Sequence, residues 1–357
     1  MQIGIVGLPQ SSKTTVFNAL TGGHVATSGF GGTQFTLHRA VVDVPDPRVD
    51  ALAGLFKPMK VNYARVEYKD IGGLAKGISE GGLSGELLGA IAQNDALLHV
   101  VRAFSDPVVV HPEGSVDPAR DVAILDAEFL LSDLIVVERR LERLADQLKR
   151  PGKGPEREAN LVEQALLERL HATLSAEEPV RDMALAEEDA KLIRGFQLLT
   201  AKPMLIVLNT GDDDVPILEY PHRQSTVVTI RGKLEMELGQ LEPEERSLWM
   251  AEYGVGELGM SRVIRASYSL LGLHSFLTAG EDECRAWTIP VGATALEAAG
   301  SIHSDLARGF IRAEVVAFEE LIAAGSMVEA KRLGKVRLEG RDYVVRDGDI
   351  VHVRFNV

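Results

Sequence analysis

The stretch "GLPQSSKTT" at residues 7–15 decides the fold of the amino-terminal part of the chain. It follows the apolar run "IGIV" and leads into a predicted helix that begins "VFNAL". It nearly fits the phosphate-binding pattern G-x-x-x-x-G-K-[ST]: Gly7, Lys13 and Thr14 are in place, but Ser12 replaces the second glycine. Because a strand, a glycine-containing turn and a helix direct backbone N–H groups at a phosphate, we predict a phosphate-binding loop here.

The serine at position 12 leaves two alternatives open. If the loop requires a positive φ at Ser12, the side chain costs of order 1–3 kcal/mol. If Ser12 lies in an ordinary region of φ and ψ, it adds a hydroxyl to the loop without that cost. The first alternative predicts a weakened phosphate site, and the second predicts a working one.

Length, charge and cysteine content exclude several classes of protein. A chain of 357 residues is long enough for two or three domains. The net charge of −14 arises within residues 1–283, since residues 284–357 contain ten Lys/Arg and ten Asp/Glu, so nonspecific nucleic-acid binding by the larger part is disfavoured. Cys284 is the only cysteine, which excludes an intramolecular disulfide. With no signal peptide and no membrane-length apolar run recognised, we expect a cytoplasmic protein without membrane contact.

The order of apolar runs predicts an α/β fold with a mainly parallel sheet. Six runs have the composition of buried strands: "IGIV", "RAVVDV", "ARVEYKD", "ALLHVVRAF", "PMLIVLN" and "STVVTI". From "RAWTIP" onward, short strands and one helix predict a small α+β domain, in which "LEGRDYVV" and "DGDIVHVRF" have the turn chemistry of a β-hairpin.

Between about residues 121 and 200 the apolar spacing becomes helical. Two stretches place apolar residues three or four apart, joined by the turn "KRPGKGP", so we predict an inserted antiparallel coiled-coil hairpin. The predicted contact positions are Leu130, Leu134, Val137, Leu141, Leu144 and Leu148 in the first stretch and Val162, Leu166, Leu170 and Leu174 in the second. The predicted domains are a discontinuous P-loop NTPase domain (1–120 and 201–284), the hairpin (121–200) and the carboxy-terminal domain (285–357).

Two further motifs fit a nucleotide site. Asp70-x-x-Gly73 follows a strand and can place a carboxylate near Mg²⁺ and a backbone N–H near the γ-phosphate. Asn209-x-x-Asp212 ends the run "LIVLN" and has the form of a base-recognition motif. Leu74 follows Gly73 and cannot orient a water molecule, so hydrolysis requires a water-positioning group from elsewhere.

Together these residues resemble the YchF-type P-loop NTPases, an Obg-related branch of the translation-factor-like GTPases. The resemblance covers nearly the whole chain. It includes "VPDPRVDALAGLFKP", "DIGGLAKG", "DALLHVVRAF", "LLTAKPMLIVLN" and, most specifically, "RAWTIPVGATALEAAGSIHSDLARGFIRAEVVAFEEL". It implies a G domain, an inserted hairpin and a TGS-type carboxy-terminal domain. It also implies Mg²⁺-dependent hydrolysis with a preference for ATP over GTP, and association with ribosomes, with RNA contact through the hairpin and the TGS-type domain.

The motifs and the resemblance assign roles to individual residues. Lys13 is expected to act in catalysis, and the resemblance adds His111 as the residue that positions water. Metal contacts are expected from Thr14 and Asp70. The expected nucleotide contacts are Gly7, Pro9, Gln10, Ser11, Ser12, Lys13, Thr14, Thr15, Gly73, Asn209, Asp212, Arg231 and Gly232.

Four nucleotide-contacting segments depart from the pattern of the family and indicate a divergent paralogue. "GLPQSSKTT" replaces GLPNVGKST, and the Mg²⁺-facing threonine of the first switch falls on Gln34, with Thr33 or Thr36 as substitutes after a shift. Asp212 replaces a glutamate, and Arg231-Gly232-Lys233 replaces S-A-K. Two hypotheses follow: a slow, switch-like NTPase, or an adaptor that has kept the fold but has a degenerate nucleotide site.

Overall fold

The computed structural model describes residues 1–25, 36–72, 83–149, 154–211 and 217–356. Its strands, numbered in chain order, are β1 (Gln2–Val6), β2 (Thr36–Asp43), β3 (Lys60–Asn62), β4 (Arg65–Gly72), β5 (Ala96–Ala103), β6 (Met204–Thr210), β7 (Ser225–Ile230), β8 (Leu273–Ala279), β9 (Glu283–Pro290), β10 (Phe310–Ala317), β11 (Arg337–Glu339) and β12 (Asp349–Phe355).

The helices are α1 (Lys13–Thr21), α2 (Pro47–Phe56), α3 (Gly85–Ala92), α4 (Pro118–Leu148), α5 (Pro155–Ser175), α6 (Glu187–Ile193), α7 (Gly232–Gly239), α8 (Pro243–Glu252), α9 (Gly259–Leu270), α10 (Ala295–Ile302), α11 (Ser304–Arg308), α12 (Phe318–Ala324) and α13 (Met327–Arg332). Among the described residues, no helix has both the length and the apolarity needed to cross a lipid bilayer.

The chain forms two compact units, Met1–Ala40 with Glu67–Leu270, and Val41–Val66 with Leu271–Val357. The second unit therefore begins earlier than the boundary predicted at residue 285. It also includes the segment 41–66, which the sequence predicts to belong to the NTPase domain. The pairing of β3 with β9 explains that assignment, because Lys60–Asn62 lie beside Glu283–Arg285 in one sheet.

The first sheet has the order β2-β4-β1-β5-β6-β7. The pairs of β1 with β4 and β5, of β5 with β6, and of β6 with β7 are all parallel. This confirms the predicted α/β fold with a mainly parallel sheet. Strands β5 and β6 are almost entirely buried, which is why their sequences are continuous apolar runs. The carboxyl ends of β1, β4 and β6 carry the predicted motifs.

Helices α4 and α5 form the predicted long hairpin. Its core contains Val137 and Leu144 from α4 and Leu166, Leu170 and Leu174 from α5. The prediction for Val162 is wrong, since that side chain is 57% exposed. At this level an ion pair lies between the helices instead: Arg140 Nε and Nη2 donate to the carboxylate of Glu163 at 2.7 and 2.8 Å.

The second sheet has the order β11-β10-β12-β8-β9-β3. Phe276, Val315 and Val351 belong to a buried cluster to which α10 also contributes. The β-hairpin predicted from the Asp-Gly turn is wrong, because β10 lies between β11 and β12 and pairs with both of them in antiparallel fashion. Local turn chemistry indicates where the chain reverses, but it does not specify which strands pair. Here β10, which is largely buried, lies between the two strands that were predicted to pair with each other.

Candidate functional site

The loop between β1 and α1 begins at a position that only glycine can occupy. Gly7 has φ 152°, and a β-carbon built on it would lie 2.3 Å from the carbonyl oxygen of Val100 in β5. Any side chain would collide with the backbone of the neighbouring strand. Gly7 therefore lets the chain leave the sheet at its carboxyl edge and turn directly above β5.

The loop has left-handed backbone geometry at two residues that carry side chains. Ser12 has φ 67° and ψ 36°, and Gln10 has φ 59°. This resolves the alternatives left open by the sequence, since Ser12 takes the positive φ that a glycine would adopt with less strain. The left-handed conformation costs roughly 1–2 kcal/mol for a residue with a β-carbon. Ser12 also makes no side-chain capping bond to α1 that could offset this cost.

Lys13 is the first residue of α1, and its side chain crosses the loop. Its ammonium donates hydrogen bonds to the carbonyl oxygens of Gly7 and Leu8, both at 2.9 Å. Burial lowers the pKa of Lys13 to about 8, although the nearby carboxylate of Asp70 acts in the opposite direction. The positive charge is thus held at the loop in a poorly solvated position, where it interacts strongly with an anion.

Thr14, in the first turn of α1, and Asp70, near the end of β4, come together at the edge of the sheet. Thr14 Oγ1 donates to Asp70 Oδ2 at 2.8 Å. Burial raises the pKa of Asp70, while Thr14, Lys13 and His38 counteract the shift. The second oxygen, Oδ1, is buried and has no hydrogen-bond partner among the described residues. A hydroxyl and a carboxylate oxygen are hard ligands of the kind that Mg²⁺ binds, so these residues fit the predicted metal site.

The described residues contain no cluster of three or more His, Cys, Asp or Glu that could enclose a metal ion. Mg²⁺ sites of the nucleotide-dependent type use only one or two protein groups, which share the ion with phosphate oxygens and water. Thr36, at the start of β2, lies beside the same edge, because a β-carbon built on Gly72 would be 2.3 Å from Thr36 Oγ1. Gly73, Leu74, Thr33 and Gln34 lie outside the described residues.

Several polar atoms around the loop are buried without a hydrogen-bond partner in the described part of the chain. They are Gln10 Oε1, Ser11 Oγ, Asp70 Oδ1 and both ring nitrogens of His99. Burial lowers the pKa of His99 to about 3, and the charge of Lys13 adds to this shift. Buried polar groups are nearly always paired, so these unpaired atoms beside the loop are compatible with a site that a ligand completes.

His99 adjoins the loop and was not singled out from the sequence. It is 1% exposed and lies opposite Val6 in the parallel pair of β5 with β1. The only available signal was a single ionisable residue in the otherwise apolar run "ALLHVV". The structure shows that this residue is close enough to Lys13 for the two groups to interact electrostatically.

The predicted base-recognition residues meet at the ends of β6 and β7. Asn209 Oδ1 accepts a hydrogen bond of 2.9 Å from the backbone N–H of Gly232, the first residue of α7. A side chain at Gly232 would collide with Asn209, since a β-carbon there would lie 2.6 Å from Oδ1. Arg231 precedes α7 directly. Thr210 Oγ1 donates to the carbonyl oxygen of Ile230 at 3.0 Å. Asp212 lies outside the described residues.

His111, which the resemblance assigns to positioning water, has both ring nitrogens engaged in hydrogen bonds within the protein. Its Nδ1 accepts from the backbone N–H of Glu113 at 3.1 Å, and its Nε2 lies 2.8 Å from Asp121 Oδ2. Because Nδ1 is an acceptor, Nε2 carries the proton and donates to Asp121. Arg120 pairs with the other oxygen of that carboxylate at 2.7 Å. In this arrangement neither ring nitrogen of His111 is available to a water molecule.

The remaining predicted contact residues are Pro9, Ser11 and Thr15. Pro9 and Ser11 are in the loop, and Thr15 is in the first turn of α1. The structure thus brings together Lys13, Thr14 and Asp70 around a left-handed loop at the carboxyl edge of a parallel sheet. A strand, such a loop and a helix beginning with Lys-Thr define the class of P-loop proteins.

Comparison with known proteins identifies the family within that class. The family model YchF-GTPase_C, described as a protein of unknown function (DUF933), matches residues 273–356. The "Ribosome-binding ATPase YchF" of Bacillus subtilis is 42% identical over 99% of both chains, and that of Escherichia coli O157:H7 is 40% identical over 99% of both chains. The solved structure of the Schizosaccharomyces pombe YchF GTPase has a TM-score of 0.85 and 30% identity, and covers 99% of this chain and 97% of its own. The chain belongs to the YchF family.

Proposed function

We propose that the protein is a Mg²⁺-dependent NTPase that turns over slowly and acts as a switch, its nucleotide state changing its affinity for the ribosome. The observation that carries the proposal is the convergence of Lys13, Thr14 and Asp70 at the phosphate loop. Lys13 and Thr14 belong to the loop motif and Asp70 to the separate motif at the end of β4, and the fold brings the two motifs together at one edge of the sheet.

The residues would divide the work as follows. Backbone N–H groups of the loop and the ammonium of Lys13 bind the phosphates, and Thr14 and Asp70 hold Mg²⁺. The bound ion neutralises charge that develops on the phosphate oxygens. Thr14 Oγ1 and the Asp70 carboxylate, now joined by a hydrogen bond and with Oδ1 unpaired, are the groups that would hold the ion directly or through water.

His111 is proposed as the group that positions the attacking water. Since both ring nitrogens are engaged, this role requires that the bond to Asp121 break when the nucleotide binds. His111→Ala should therefore lower kcat about a hundredfold or more and leave nucleotide affinity unchanged. An unchanged kcat would remove His111 from the mechanism.

The proposal about base preference rests on fewer observed contacts than the proposal about phosphate binding. We propose ATP as the preferred substrate, with GTP as the alternative. Thr210 replaces the lysine that covers the ring in guanine-specific sites, and its hydroxyl is bonded to Ile230 rather than directed at a base. Two relatives carry the name ATPase, and the solved neighbour is named a GTPase.

Ribosome association is proposed from the names of the relatives and from the full-length match to them. The hairpin α4–α5 and the carboxy-terminal domain, which we propose is TGS-type, are the surfaces expected to contact ribosome or RNA. A cytoplasmic location follows from that partner. The carboxy-terminal domain is assigned to binding rather than to catalysis, because its ten Lys/Arg and ten Asp/Glu in residues 284–357 balance and its sequence shows no clustered acid/base pair.

A second candidate function is an adaptor that binds its partner without nucleotide control. The observation that favours it is Ser12, which carries a side chain at φ 67° where the phosphate-binding pattern has a glycine that lets the backbone approach the phosphate closely.

Sedimentation with purified ribosomes separates the two functions. The switch predicts that binding differs at least severalfold between protein with ATP or GTP, with a non-hydrolysable analogue, and without nucleotide, and that purified protein releases phosphate. The adaptor predicts identical binding in all conditions and no phosphate release above that of the Lys13→Ala variant.

A further inference from the structure

Helix α8 exposes three large apolar side chains next to one another. Leu248 is 74% exposed, Trp249 is 47% exposed, and Tyr253, which follows the helix directly, is 48% exposed. The rings of Trp249 and Tyr253 are stacked, with centroids 5.8 Å apart. Contiguous exposed apolar groups of this size mark interaction sites on soluble proteins.

The helix that carries this surface is fixed in place. Arg246, also on α8, donates to the carbonyl oxygens of Leu238 and Leu241 at 3.0 and 2.9 Å. The arginine therefore caps the carboxyl end of α7 and holds the aromatic pair in position. Trp and Tyr on a rigid element are the residues that most often dominate binding energy at protein interfaces.

The surroundings of the aromatic pair are acidic. Glu242, Glu244, Glu245 and Glu252 are all exposed, and none forms an ion pair with a described residue. Arg246 is the only basic residue between positions 241 and 256, and its guanidinium is engaged by backbone carbonyls. An RNA backbone is repelled by this rim, and base stacking on Trp249 lacks the neighbouring cations that such sites use.

We propose that the exposed face formed by Leu248, Trp249 and Tyr253 binds a basic protein segment, with the aromatic pair as the apolar anchor and the glutamates as the rim. This inference rests on the proposed function, because it assigns the partner to the protein component of the ribosome rather than to its RNA. Charge complementarity selects that occupant: a lysine- or arginine-rich segment pairs with the four glutamates, and an apolar side chain within it contacts Trp249.

The test measures sedimentation of the full-length protein with purified ribosomes. Trp249→Ser should weaken binding about tenfold or more, whereas Leu192→Ser, which removes an apolar side chain of similar exposure (45%) from α6, should leave it unchanged. A nucleotide-dependent thermal shift equal to that of the wild type shows that each variant is folded. Unchanged ribosome binding of Trp249→Ser overturns the inference and leaves the proposed function standing.

A charge reversal distinguishes the two kinds of partner. Glu244→Lys/Glu245→Lys should weaken ribosome binding if the partner is a basic protein, and should strengthen it if the partner is RNA, which would contradict the inference. Wild-type protein that fails to bind ribosomes under any nucleotide condition overturns the proposed ribosome association, and this inference with it.

The chain also supplies its own reporter, because its two tryptophans are Trp249 and Trp287. In a Trp287→Phe variant labelled with 5-hydroxytryptophan, position 249 alone fluoresces at an excitation that ordinary tryptophan does not absorb. Ribosome binding should protect this fluorophore from acrylamide quenching. Quenching that is the same for free and bound protein would show that the surface stays exposed.

Discussion

The phosphate-loop edge of the first unit differs from the second unit in two respects. One is where residues with side chains adopt positive φ, and the other is whether buried carboxylates are paired. At the loop, Gln10 and Ser12 have positive φ although they carry side chains. Among the described residues of the second unit, positive φ occurs at glycines and at Lys57 (φ 47°), which caps the carboxyl end of α2, a place where a left-handed residue is common. Buried carboxylates differ in the same way: Asp70 leaves one oxygen unpaired, whereas Glu314 pairs with Lys331 at 3.0 Å and with Arg354.

This difference indicates which region is suited to bind a ligand. Strain and unpaired buried polar groups lower the stability of the folded chain, so they persist where a bound molecule compensates for them. In the second unit the non-glycine residue with positive φ, Lys57, lies at a helix end, and the buried carboxylate of Glu314 is paired, so neither feature there calls for a bound molecule. The contrast predicts that substitutions of buried residues in the second unit destabilise, whereas some of those at the loop stabilise the empty protein.

The largest effect is expected in the second unit. Phe276 is fully buried, so Phe276→Ala should lower the free energy of unfolding by about 3–5 kcal/mol. Phe355, in β12 of the same sheet, is 47% exposed, and Phe355→Ala should change it by less than about 0.5 kcal/mol. Denaturant unfolding measures both. Equal effects of the two substitutions would contradict the packing described for this sheet.

Lys13→Ala should remove the stabilisation that nucleotide gives to the protein. For the wild type, Mg²⁺–nucleotide at a hundred times its Kd should add about 2.7 kcal/mol to the free energy of unfolding. In the variant this gain should be absent, because the loop has lost its cation. Lys149→Ala removes an exposed lysine and serves as the control. The measurement is thermal unfolding with and without nucleotide, and an equal gain in Lys13→Ala would argue against the loop as the binding site.

His99→Leu should remove a pH dependence of stability. The folded state holds the pKa of His99 at about 3, below the ordinary value of 6.5, so the unfolded state binds the additional proton between these values. Stability is therefore lost as the pH falls below 6.5, by about 2 kcal/mol between pH 7 and pH 5 for this group.

In His99→Leu this loss should disappear, and stability at pH 7 should also rise, since an apolar group replaces an unpaired polar one. The exposed His352, changed to leucine, is the control. Denaturant unfolding at pH 7 and pH 5 tests both expectations. A wild type and a His99→Leu variant with the same pH dependence would show that His99 is not buried as a neutral ring.

The smallest effect is expected at Ser12. Ser12→Gly should stabilise the empty protein by about 1 kcal/mol, because glycine adopts φ 67° with little strain and no capping bond is lost. Ser11→Gly, one position earlier and outside the positive-φ region, should give no gain. Thermal unfolding compares the two variants. Stabilisation by both, or by neither, would mean that the strain at Ser12 is not the cause.

Apolar spacing predicted the parallel sheet and the hairpin because burial of whole strands and helix faces leaves a local signal. The exposure of Val162 was not predictable in this way, since it depends on Glu163 meeting Arg140 across the hairpin. The position of β10 between β11 and β12 and the pairing of β3 with β9 depend on contacts distant in sequence.

The site residues that were predictable are those that belong to short motifs, each of which is continuous in the sequence. Lys13, Thr14 and Asp70 follow from the loop and strand-end patterns, and the structure brings them together. The φ of Ser12, the buried ring of His99 and the bonds that hold His111 are properties of the folded surroundings, and residue types alone do not reveal them.

Calorimetric titration of the wild-type protein tests most directly whether the strained loop binds a nucleoside triphosphate. The titrants are ATP, GTP and their non-hydrolysable analogues in Mg²⁺. The account predicts a saturable heat with one nucleotide per chain for at least one of them, and its loss in Lys13→Ala. Folded protein that gives no heat with any of the four would contradict it and leave the adaptor as the remaining function.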